Sequence, residues 1–426
     1  MSIATRWAGL TRTLSPLLLF GAFLTFPSRL VADEAEDRAV AALERRGARV
    51  SRDPGLPGNP VVFVTVLDGD IQQAEFKELA ALKHLHTLFL IRTNIGDTGL
   101  KELAALNDLQ EIRLGGSTVT AAGMKELARL KALRYLYLDF TPVTDAGLKE
   151  LAPLTKLHTL SLSDVPVTDA GLKALASLEE LSELNLYRTE VTDAGFEHLA
   201  ALKSLYSLNL GGTDVSGEGI KKLTALKHLR MLNLAYSAVT NAQVKELATL
   251  TSLEFLCLEN AAVTDAGLKD LAALTNLEEL DLRYTQVRGA ALKEFSALKH
   301  LRRIDLMNTR VKDADLKELA TLTELRTVNL AGTKVTDAGM KDLAELSHLE
   351  VLYLSGVKVT DTGLKELSGL KELQILGLEF TKISDAGLEP LAAFNLLQKL
   401  YIPGTQTTEA GVERFRRAVP GCEVVR

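Results

Sequence analysis

Four carboxylates fall close together in the chain, Glu259, Glu279, Asp281 and Asp305. Two carboxylates held a set distance apart around a cleft are the equipment of glycoside hydrolysis. The other residues with chemistry to offer are few. There are seven histidines and two cysteines. His84, His228, His300 and His348 recur at one kind of position in separated segments, which gives neither a metal site nor a catalytic triad. Segments of the type TDAG supply one carboxylate each, whereas calcium takes about six to eight oxygens. No phosphate-cradling glycine loop or nucleophile elbow is present. The composition therefore predicts a protein that is not an enzyme and uses no metal or cofactor.

The elements that must position these residues are repeats. Leu133–Lys156, LRYLYLDFTPVTDAGLKELAPLTK, is one unit of 24 residues. Aligned copies start at Leu85, Leu109, Leu133 and onward to Leu397, 14 starts without insertion or deletion, and a weaker copy starts at Val61. Self-similarity at such a period means stacked structural units. Within the unit, Leu133, Leu136 and Leu138 read as L-x-x-L-x-L, a half-buried strand. Thr144 and Asp145 have side chains that cap a helix N-terminus. Leu148, Leu151 and Leu154 make the buried stripe of a short helix, with Lys149 and Glu150 toward water. Stacking buries the leucines of every copy in one core. Parallel strands lie ~4.8 Å apart and packed helices ~8–10 Å apart, so the stack curves with its strands inside.

The pattern L-x-x-L-x-L-x-x-T-x-V-T-D-A-G-L-K-E-L resembles the leucine-rich repeat family, especially bacterial arrays of 24-residue units, and more distantly ribonuclease inhibitor and F-box arrays. The resemblance covers residues 61–420. It implies an α/β solenoid, a horseshoe with a parallel β-sheet on the concave face and short helices on the convex face. It also implies binding in place of catalysis. An open concave sheet offers no closed pocket for a carboxylate pair.

Residues 1–32 are different in kind. Arg6 and Arg12 precede the apolar run Leu14–Phe26, and the segment has no acidic residue. A basic region followed by an apolar run shorter than the ~20 residues of a membrane span is the pattern of a signal peptide. This predicts export to a periplasmic, cell-envelope or extracellular location, with contact to a membrane only through that segment if it stays uncleaved. Residues 33–60 read as an N-terminal cap of helix, strand and turn. Residues 61–420 form the solenoid of about 15 units. Residues 421–426 end a C-terminal cap. The formal net charge of −6 argues against nucleic acid as a partner. Cys257 and Cys422 lie about 30 Å apart at ~4.8 Å per strand, too far for a disulfide.

Scaffold and surface separate by position. Thr or Ser at the ninth place of eleven copies, from Thr93 to Thr405, is expected to satisfy loop backbone groups. Glycine at the fifteenth place is replaced by Gln243, Ala291 and Asp315, so a left-handed backbone is not expected there. The outward strand places are three, five, seven and eight. Place five reads Asn185, Asn209, Asn233, Cys257, Asp281, Asp305 and Asn329, which predicts a polar ladder of side chains bonded to one another. Aromatic residues decorate the same face, Phe89, Tyr135, Tyr137 and Phe140 among them. Leucines hold the core side, so exposure is expected of these aromatics. The candidate partner site is Tyr187, Arg188, Tyr236, Phe255, Glu259, Glu279, Asp281, Arg283, Tyr284, Arg303 and Asp305, since exposed aromatics beside arginine make interface hot spots. Irregular units between Thr240 and Leu319 point to specialisation in the same region.

The function expected from this pattern is a noncatalytic scaffold holding a protein partner on the concave face. Two other readings remain, an envelope receptor for a glycan or small ligand, and an architectural envelope protein. Helices that repeat while strand faces vary favour the concave face. Neither the partner's identity nor the oligomeric state follows from the sequence.

Overall fold

The structure is a computed structural model that describes residues 34–69, 71 and 73–426. The expected signal peptide lies outside the described residues. A helix at Glu34–Glu44 ends at Gly47, which takes the left-handed backbone (φ +82°) that a helix C-terminus often needs. A strand at Arg49–Arg52 then pairs antiparallel with Val61–Leu67.

From there every strand pairs parallel with the strand of the next copy, up to Glu423–Val425. Among the described residues this makes one seventeen-stranded sheet. Its register is that of the repeat: Leu232, Leu256 and Leu280 stand side by side. Most strands are three residues long, as in Phe255–Cys257. The short strand follows from the unit itself, because place seven already turns out of the sheet. Leucines at places one, four and six, such as Leu253, Leu256 and Leu258, are fully buried in one continuous core. Burying such a side chain stabilises by roughly 1.5–3 kcal/mol. No described helix is long and apolar enough to cross a membrane.

The ninth place behaves as expected. The hydroxyl of Thr141 donates to the Leu138 carbonyl at 2.6 Å, and Thr189, Thr285 and Thr381 do the same to the carbonyl three residues back. Ser117 is buried at this place without such a partner.

The TDAG segments are joined from copy to copy. Asp145 accepts from the backbone N–H and hydroxyl of Thr168, 2.8 and 2.7 Å away, in the following unit. Asp337 serves Thr360 in the same way. Each threonine then caps its own helix, as Thr168 does for the Ala170 N–H. This explains the glycine at place fifteen. It is not needed for a left-handed backbone, except at Gly219 (φ +90°). A Cβ at Gly171 or Gly363 would meet the carboxylate of the preceding unit's aspartate at 2.4 Å. The irregular units obey the same geometry in reverse. Gly217 and Gly289 stand where aspartate is usual, and the next units carry Gln243 and Asp315 in place of glycine. Gln243 accepts from the N–H and hydroxyl of Thr240, and Asp315 accepts from the Lys312 N–H. The irregularity at Gln243 and Asp315 is thus a swap of capping partners, while Ala291 follows the usual aspartate and donates its N–H to Asp265. The two units with glycine in place of aspartate also form 3-10 turns, Ile220–Ala225 and Leu292–Ala297, where the other copies have α-helix in whole or part.

Candidate functional site on the concave face

Side chains at place five point into the concave side from the end of each short strand. Their first task is local. Asn209, Asn233, Asp281, Asp305 and Asn329 each accept from the backbone N–H two residues on, at 2.8–3.1 Å, where the chain leaves the sheet. The expected ladder of amides bonded to one another is mostly replaced by these strand-end caps. Bonds between strands remain at Asn185 to Ser161, 3.0 Å, and Asn329 to Asp305, 3.1 Å. A side chain satisfied within its own strand needs no neighbour's help.

Six of the sequence-selected residues meet in the middle of the arc. Arg283 reaches Glu259 at 2.6 Å, Asp281 at 2.9 Å and Asp305 at 3.9 Å. Arg303 stands 3.7 Å from Asp305. Tyr236 donates its hydroxyl to the other oxygen of Glu259 at 2.8 Å. Asp281 is fully buried, and burial together with the neighbouring Asp305 carboxylate pushes its pKa up to about 6. Burial likewise raises Asp305. The hydrogen bond to Glu259 pushes the Tyr236 phenol up to about 12. Burial works against the charge of Arg283, but Asp281, Glu259 and Asp305 outweigh it and hold the guanidinium firmly protonated.

Cys257 lies against this group, its thiol 3.5 Å from Asp281. Cys257, Glu259 and Asp281 bring three potential metal-ligand atoms within 4.8 Å of one another. Their chemistry does not suit an ion. Both carboxylates are engaged by Arg283, and burial holds the thiol well above its ordinary pKa, against the thiolate a metal requires.

The remaining selected residues separate. Phe255 is not exposed, contrary to expectation. It is 2 % accessible and packs with Met231, Ala235 and Cys257 in a small apolar cluster on the concave side. Tyr137 is also buried there. On strands ~4.8 Å apart, large neighbours on a concave surface cover one another, so facing away from the leucines does not ensure exposure. Glu279 stands beside Phe255 and Arg303 in the sheet register. Tyr187 and Arg188 sit two units before Tyr236, and the Arg188 guanidinium lies 5.7 Å from the Tyr187 ring.

Two features were not anticipated. The first is a stack of Phe63, Phe89, Arg113 and Tyr137. The phenylalanine rings meet edge to face at 5.2 Å, and the guanidinium of Arg113 lies 4.4 Å from Phe89 and 4.3 Å from Tyr137. The second is the backbone at place eight. In every copy from Val61 to Leu397 this residue is left-handed, with φ between +52° and +71°. Glycine, asparagine or aspartate is the inexpensive choice there, and Gly116, Gly212, Asn260, Asn308, Gly332, Gly356 and Gly404 are such choices. Yet Arg92, Phe140, Arg188, Tyr236, Tyr284 and Phe380 also occupy it. Phe140, Tyr236, Tyr284 and Phe380 are 64, 49, 43 and 73 % exposed. From Arg92 to Tyr284 the large residues alternate with small ones, copy by copy. Glycines at one place in the repeat were the available signal in the sequence.

The family described as "leucine-rich repeat region" matches residues 63–264, and that described as "Leucine Rich repeat" matches 321–344 and 345–368. This is a leucine-rich repeat protein. A leucine-rich repeat protein of Leptospira interrogans is similar at 25 % identity, over 82 % of this chain and 92 % of that one, with a TM-score of 0.59. An internalin of Listeria monocytogenes shares 21 % identity over 95 % and 98 % of the two chains, TM-score 0.56. The Arabidopsis receptor kinase HAESA, solved with a peptide hormone and a co-receptor, shares 14 % over 92 % and 81 %, TM-score 0.51. These last two share the fold alone. Comparison with curated protein sequences gave no significant match.

Proposed function

We propose that this leucine-rich repeat protein is a noncatalytic scaffold that holds a protein partner on its concave face. The observation that carries the reading is the row of large residues at place eight. A bulky side chain in a left-handed backbone costs on the order of 1–3 kcal/mol, and the same chain avoids that cost with glycine or asparagine in other copies. Strain of this kind is kept where a side chain has something to contact. Four of the six are aromatic and exposed, as anchor residues at interfaces are. Tyr236 is further held by Glu259 and Arg283, so little freedom is lost when a partner docks. The basic and then apolar leader supports a location outside the cytoplasm, a reading checked by sequencing the N-terminus of the mature protein.

The test compares the full chain with a variant carrying Phe140→Asn, Tyr236→Asn, Tyr284→Asn and Phe380→Asn as baits for an envelope extract, with crosslinks mapped by mass spectrometry. A partner held by the wild type, crosslinked to the concave face and lost by the variant supports the reading. Equal retention by both would move the site to the convex helices or the ends and overturn it.

A further inference from the structure

We propose that the gap between Tyr236 and Tyr284 is a slot for one arginine side chain of the protein partner. This deepens the scaffold reading and rests on it. The molecule contains its own precedent. Phe89 and Tyr137 occupy the same place in units two apart, and the guanidinium of the unit between them, Arg113, lies 4.4 and 4.3 Å from their ring centroids. Two aromatic rings at one place, two units apart, therefore leave room for one planar cation. Tyr236 and Tyr284 repeat that arrangement at place eight, at the same spacing of two units. The residue between them is Asn260, which is short and exposed, and the nearby Arg283 is already engaged by Glu259 and Asp281.

Charge points the same way. Glu259, Glu279, Asp281 and Asp305 face Arg283 and Arg303, an acidic excess even with both arginines counted. The pKa of Asp281 is raised first by its burial and then by the neighbouring Asp305 carboxylate, so like charge is crowded here. A cation brought from outside supplies what is short. Arginine suits the slot better than lysine. Its flat guanidinium stacks on a ring with each face and keeps its edge donors free, whereas an ammonium is a compact, strongly hydrated charge. The slot is also firm on one side, because the Tyr236 hydroxyl is tied to Glu259 at 2.8 Å.

The experiment is calorimetric titration of the full chain with hexa-arginine, hexa-lysine and hexa-citrulline peptides, the last being neutral and planar. Saturable binding of hexa-arginine is expected, about tenfold or more tighter than hexa-lysine and hexa-citrulline. Tyr236→Asn and Tyr284→Asn should each weaken it about tenfold, while Leu396→Asn, at an exposed apolar residue in a helix-to-strand turn, should leave it unchanged. Asparagine is already tolerated at this place in two units, so the variants should fold, and circular dichroism checks that they do. Equal affinity for arginine and lysine peptides would overturn the proposal. So would full affinity in both tyrosine variants. If the peptides fail but capture of the partner still depends on Tyr236 and Tyr284, the arginine slot falls and the scaffold reading stands. If capture is indifferent to them as well, both fall.

Discussion

The carboxylate of Asp145 lies where a side chain on Gly171 would have to go: a Cβ there would sit 2.4 Å from its Oδ1. One residue excludes the other across these two units, whereas Ala291 coexists with Asp265 only where the unit forms a 3-10 turn after Gly289. Gly171→Ala should therefore destabilise by about 1–3 kcal/mol through overpacking. Asp145→Gly should cost about 1 kcal/mol through loss of the Thr168 contacts. The double variant should cost less than the two together, because the clash disappears with the aspartate. Urea denaturation of the four proteins measures this, and simple additivity would contradict the exclusion.

Asp281 gives a pH-dependent prediction. Its pKa rises on folding from 3.8 to about 6, so the folded state binds this proton more tightly than the unfolded chain. The stability it contributes is complete below the unfolded value and is lost as pH rises through about 6. Asp281→Asn keeps the acceptor for the Arg283 N–H, and asparagine fills this place in four other copies. Relative to wild type, the variant should gain about 2 kcal/mol between pH 4 and pH 7.5. Denaturation at the two pH values checks this, and a difference that does not change with pH would refute it.

Place eight offers a trade between stability and binding. Tyr284→Asn and Phe140→Asn replace bulky left-handed residues by one that adopts this backbone more readily. Each should raise stability by about 0.5–1 kcal/mol, read as a higher denaturation midpoint, while weakening partner binding. A fall in stability would mean that these rings are held by packing and not merely tolerated.

The ninth place offers a bonded hydroxyl at Thr189 and an unbonded one at Ser117, while Ser237 makes the bond as threonine does. Thr189→Val removes a 2.8 Å bond to the Leu186 carbonyl in a buried site and should cost about 1–2 kcal/mol. Ser117→Ala removes a buried hydroxyl that has no partner and should be neutral or slightly stabilising. Equal costs for the two would show that the hydrogen bond is not what selects threonine.

The repeat itself was legible. Each unit has one apolar stripe on its strand and one on its helix, and a fixed period of 24 leaves only one way to bury both in every copy. Period and alternation alone thus determined the parallel register, the leucine core and the division between scaffold and variable face. Tertiary structure decided the rest, because the remaining contacts join residues of different units. Phe255 is buried beside Met231 of the adjacent strand and Ala235 of the same neighbouring unit, which no reading of its own strand could reveal. Gly171 answers to Asp145, and Gln243 to Gly217, across unit boundaries. The left-handed backbone at place eight arises where a three-residue strand turns out of the sheet, and it makes Tyr236 and Tyr284 a strained, exposed pair. Arg283 belongs to the site because the sheet stacks its neighbours Glu259 and Asp305 on either side of it, a juxtaposition that exists only once the units are packed.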